Sequence, residues 1–146
     1  FGLGPERNTA VRFPIRFREA YGIPMNDTEH INNAIAAHGR WKAHLRQAIE
    51  TGKSEWKADA VRPDNLCEFG KWLLACSSAE KASERWTKIR EFHAEFHKEA
   101  ARILALVLAG RKSEAEAAIA LGSHFSKTSA DLTLALVAWR DSLGGR

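Results

Sequence analysis

The chain has 146 residues, 45% of them apolar and 27% charged, which suits one domain with a real hydrophobic core and excludes a disordered segment. Its 22 Lys and Arg stand against 18 Asp and Glu, a net charge of +4 with the two signs interleaved; a nucleic-acid binder gathers its charge into a stripe, so no nucleic-acid partner is expected. Two cysteines, Cys67 and Cys76, are too few for a disulfide framework, and with six histidines in the chain they leave a metal or redox role open.

The longest apolar runs, residues 103–109 and 134–139, fall short of the ~18 residues of a membrane span. No secretory signal is evident. The start at Phe1 reads as that of a fragment, and the expectation is a cytoplasmic domain cut from a larger protein.

In residues 1–24, Val11, Phe13, Ile15 and Phe17 alternate with Arg12, Pro14, Arg16 and Arg18, which reads as an extended arm or linker. Residues 25–146 read as one helical domain. Asn26 with Glu29 offers a capping box. Behind it Ile31, Ile35, His38, Trp41, Leu45 and Ile49 recur at three- and four-residue steps, up to a stop at Gly52. Residues 53–63 read as a connection, and Asp64 as the N-cap of a short helix carrying Leu66, Cys67, Phe69, Gly70, Leu73 and Leu74. Ser77 and Glu80 open a long helix with Trp86, Ile89, His93, Phe96, Ala100, Ile103 and Val107 on one face, ending at Gly110. Ser113 and Glu116 open the last helix, with the stripe Ala118, Gly122, Phe125, Ser129, Leu132, Leu136, Trp139 and Leu143. The predicted fold is all-α: an antiparallel four-helix bundle of three long helices and one short one, preceded by the arm.

Three histidines lie where an apolar residue would be simpler. His38 falls within the stripe of the first helix, His93 within that of the third, and His97 one turn later. Cys67 lies near the start of the short helix, where Gly70 leaves a face open to close approach. Buried imidazoles must satisfy both ring nitrogens. A zinc ion takes nitrogen and thiolate ligands in a tetrahedral site, and histidines at i and i+4 face one point. The spacing His93-x-x-x-His97 alone arises by chance about one time in five with this many histidines. The residues themselves therefore leave a metal site and satisfied core histidines both open. His30, His44 and His124 fall off the stripes and read as surface residues, Trp41, Trp72 and Trp86 read as packing, and Cys76 reads as a second thiol rather than a ligand.

The blocks His38-Gly39-Arg40-Trp41, Cys67-Glu68-Phe69-Gly70-Lys71-Trp72-Leu73 and His93-Ala94-Glu95-Phe96-His97 resemble, in order, the H-x-x-W, C-x-[LF]-G-x-W-[LF] and H-x-x-F-H pattern of the chemoreceptor zinc-binding family. The resemblance covers about half the chain and leaves out the arm. It implies a helical bundle holding one zinc through His38, Cys67, His93 and His97. It further implies a cytoplasmic, often homodimeric regulatory module that senses zinc or oxidant and acts on a chemotaxis receptor or a diguanylate cyclase.

Two enzyme readings lack their residues: a His-Glu-x-x-His hydrolase needs Glu where Ala94 stands, and a di-iron bundle needs Glu where Arg90 and Ala94 precede the histidines by three. The expectation is a non-enzymatic sensor, with a metal-independent helical interaction or dimerisation module as the alternative.

Overall fold

The computed structural model describes residues 25–144; the arm expected at residues 1–24 lies outside them. Among the described residues seven helices follow one another: α1 (Asp27–Thr51), α2 (Ala58–Val61), α3 (Glu68–Leu74), α4 (Ser78–Lys81), α5 (Glu84–Leu108), α6 (Lys112–Ile119) and α7 (His124–Gly144). No strand is present among the described residues, and none of their helices is long and apolar enough to cross a membrane.

Local signals set the limits of α1. The Asn26 side chain accepts the Glu29 amide at 2.9 Å, and the Glu29 carboxylate accepts the Asn26 amide at 2.9 Å, so two otherwise unpaired N–H groups satisfy each other's residues. Gly52, at φ 73°, turns the chain out of the helix while its amide bonds to the Ala48 carbonyl. Between these caps Ile31, Ala34, His38, Trp41, Leu45 and Ala48 are buried, one face at alternating three- and four-residue steps.

The chain then returns along α1 as a broken leg. Trp56 packs on Trp41, Phe69 on His38 and Trp72 on His30, so residues 52–83 run from the C-terminal half of α1 back to its start. The third leg, α5, begins at Ser83, whose hydroxyl accepts the Trp86 amide at 3.1 Å, and brings His93 and His97 level with His38. The fourth leg runs back along α5 and α1: Phe125 meets Phe96, Trp139 meets Trp72, and Arg140 bonds Asn32. Each leg is thus antiparallel to the one before it, as the sequence predicts. Phe96, Ile89, Ile103, Leu45, Leu132 and Leu136 fill the space between them with exposures of 0–1%.

Three details differ from the sequence reading. The last helix is two, because Gly122 at φ 87° breaks it and the Ser123 hydroxyl restarts it by accepting the Ser126 amide. Gly122 is therefore a turn residue and not a member of the last helix's stripe, whereas Ser129 on that stripe is buried. The Ser77 cap serves only the single turn α4, and α5 has its own cap in Ser83. The cap of α3 is Cys67, not Asp64: the sulfur accepts the Gly70 amide at 3.3 Å.

Candidate metal centre

Three legs bring four side chains to the middle of the bundle. His38 from α1, Cys67 from the start of α3, and His93 and His97 from α5 are each 3% exposed or less. One ring nitrogen of each histidine lies within 4.8 Å of the others. The closest pair is Nε2 of His93 and Nε2 of His97, 3.1 Å apart, and the Cys67 sulfur lies 3.3 Å from the same His93 nitrogen. A tetrahedral ion bound to these atom types sets nitrogens ~3.3 Å apart and a sulfur ~3.6 Å from each nitrogen, from bonds of ~2.0 and ~2.3 Å. The two edges that meet at the His93 nitrogen, to His97 and to Cys67, match those of such a site to within a few tenths of an ångström.

Each side chain is aimed by its own surroundings. The His97 Nδ1 donates to the Val61 carbonyl at 2.8 Å. A carbonyl can only accept, so in the neutral ring the proton sits on Nδ1 and the Nε2 lone pair faces inward. The Cys67 sulfur is held against the first turn of α3 by the Gly70 amide, a contact that supports the negative charge of a thiolate. Gly70 is required here, since a Cβ at that position would lie 1.8 Å from the Asp64 carbonyl oxygen. The His93 Nδ1 is buried without a hydrogen bond, and its nearest charged neighbour is the Asp64 carboxylate, 3.9 Å away. Asp64 thus stands on the side of the His93 ring away from the cluster, the place from which a carboxylate would orient a metal-binding histidine. Phe69 and Phe96 wall the cluster, at 6.1 and 5.0 Å from the His38 ring.

Burial dominates the electrostatics. It lowers the pKa of His38 to about 3, with the neighbouring His97 adding to the effect, and that of His97 to about 3 against the pull of the Val61 carbonyl. His93 is pushed well down by the same burial and by its two neighbours. All three rings are neutral at physiological pH, the form that binds metal. In metal-free protein the unfolded chain takes up protons from about pH 6.5 downward, whereas the folded rings resist them to about pH 3. Unfolding therefore consumes protons in that window, and stability increases with pH across it. The melting temperature of metal-free protein is expected to fall steadily from pH 7 to pH 4; a flat profile would mean that the rings are hydrated.

The remaining candidates are not brought to the cluster. Cys76 follows α3 and its thiol donates to the Trp72 carbonyl at 3.5 Å; burial, then Glu80, pushes its pKa up. His124 is exposed and pairs with Glu95 at 2.8 Å, and His30 stacks on Trp72. His44 departs from its surface reading: it is half-buried between Trp41 and Trp56, with Nε2 3.0 Å from the Ser54 hydroxyl. Trp56, in the connection between periodic elements, is a wall of the site that periodicity does not reveal.

Known proteins were compared with the chain in three ways. No match was found among curated proteins or among solved structures. A protein-family match covers residues 38–104, a span that contains His38, Cys67, His93 and His97 and the legs that converge on them. Over those residues, which carry three imidazoles grouped as for a metal and a thiol beside one of them, the chain matches the family model of the chemoreceptor zinc-binding domain, a domain whose cofactor is zinc.

Proposed function

We propose that His38, Cys67, His93 and His97 hold one zinc ion, and that residues 25–146 form a single zinc-binding regulatory domain. The observation that carries this reading is the spacing of the ligand atoms: 3.1 Å between the ring nitrogens of His93 and His97, and 3.3 Å from His93 to the Cys67 sulfur. Four protein ligands close the coordination shell and leave no position for a catalytic water, which suits a sensor and not an enzyme. One thiolate and three neutral imidazoles leave one positive charge in the bundle, and Asp64 is placed to offset it.

The stimulus acts on occupancy. Free zinc fills or empties the site, and an oxidant that transfers oxygen to the Cys67 thiolate leaves a sulfenic acid, a poorer ligand. Because the ligands come from three legs, either event changes how those legs pack, and the altered surface signals to the output. The family points to a chemotaxis receptor or a diguanylate cyclase as that output, in the cytoplasm. The family also points to a homodimer.

Elemental analysis of purified protein beside the His97→Ala variant tests the reading. About one zinc per chain, lost in the variant, is the expected result. Protein without metal would instead favour a metal-independent interaction module, and iron would revive oxygen chemistry.

A further inference from the structure

A narrow cleft leads from the surface to the ligands. Its walls are Trp41, Trp56, Ala60 and Pro63, and Cys67 and His97 form its floor. Ala60 is exposed at the rim, while the floor residues are 2% exposed. The free volume is about 10 Å³, room for roughly one water molecule. Trp56 is the aromatic wall that lies outside a helix, in the irregular stretch between α1 and α2. It leans on Trp41 with ring centroids 4.8 Å apart. Ser54 fastens its backbone: the hydroxyl accepts the Trp56 amide at 2.9 Å and lies 3.0 Å from Nε2 of His44 on α1.

We propose that Trp56 is a size-selective gate to the metal ligands. With Trp56 against Trp41, molecules the size of water or a small neutral oxidant reach the Cys67 sulfur through the cleft. Bulky chelators and bulky thiol reagents reach it only when the ring swings away. The gate selects by cross-section, so it favours direct attack by small oxidants over exchange with large thiols. The metal arm of this proposal rests on the zinc reading above; the thiol arm does not.

The test uses the Cys76→Ser protein, in which Cys67 is the one remaining cysteine. In metal-free, reduced protein, Cys67 labelling is timed with methyl methanethiosulfonate, a small reagent, and with a bulky maleimide dye. Adding Trp56→Ala is expected to speed the dye at least about tenfold and the small reagent less than about threefold, since an aromatic pair and its steric block are lost together. Trp56→Phe, which retains a ring against Trp41, and Trp72→Phe, on the far side of Phe69, are expected to stay near the parent. Equal acceleration of both reagents by Trp56→Ala would mean general loosening and would overturn the gate, as would an unchanged dye rate. In zinc-loaded protein, transfer to 4-(2-pyridylazo)resorcinol should accelerate with the dye rate. Absence of zinc from the purified protein would sink the zinc reading alone, because the labelling ratio still decides the gate.

Discussion

Cys67→Ala is expected to leave well below one zinc per chain and to lower the melting temperature by about 10 °C or more. A ligand present at a thousandfold over its dissociation constant stabilises the folded state by ~4 kcal/mol, and each kcal/mol shifts a domain of this size by ~3 °C. The substitution also removes a helix cap, because the same sulfur accepts the Gly70 amide at the start of α3; such a loss costs ~1 kcal/mol. Cys67→Ser separates the two contributions. Its hydroxyl restores an acceptor for the amide without supplying a thiolate, so it should fall between wild type and Ala in melting temperature while resembling Ala in metal content. Inductively coupled plasma analysis beside thermal melts reads both quantities. Full zinc occupancy in the Ala variant would remove Cys67 from the site.

The second large effect is at Gly70, and it is best seen against Gly39. Both glycines lie inside helices, where alanine is the better former by up to ~1 kcal/mol. A Cβ at Gly39 meets nothing within 4 Å, so Gly39→Ala is expected to stabilise by ~0.5–1 kcal/mol. At Gly70 the same atom lands 1.8 Å from the Asp64 carbonyl oxygen and 2.9 Å from its carbon. Those are backbone atoms, which cannot rotate aside as a side chain would. The turn from Asp64 to Cys67 must shift, carrying the sulfur with it. Gly70→Ala is therefore expected to destabilise by ~3 kcal/mol or more and to weaken zinc retention, whereas Gly39→Ala leaves zinc content unchanged. Thermal melts and metal analysis of the two variants check the opposite signs; two variants that move together would disprove the close approach.

The ends of α1 could be read from the sequence because their causes are local: Asn26 and Glu29 satisfy each other's amides, and Gly52 adopts the left-handed turn. His38 and His93 could be singled out because a polar residue interrupts an apolar stripe of known period. His97 followed from its place one turn beyond His93. The break between α6 and α7 was hidden because Gly122 serves equally well as a small packing residue or as a positive-φ turn, and only tertiary placement decides. Asp64 has the side chain of a cap, yet Cys67 caps α3, because its sulfur accepts the Gly70 amide and Gly70 packs directly on the Asp64 backbone. His44 lies off the stripe of α1 and is covered by Trp56, a residue in a stretch without any period to read. Such coverings arise from how the second leg drapes over the first, which no local pattern encodes.

The His97 ring is held by the main-chain carbonyl of Val61. Its acceptor is an atom that all twenty amino acids carry, so no exchange of side chain at position 61 deletes it. Val61 is itself buried, so saturation mutagenesis there should track the size, polarity and helix tolerance of the newcomer through packing alone, with no substitution acting by removal of this acceptor. The orientation of the His97 ring is thus set by a path of the main chain instead of a letter in the sequence.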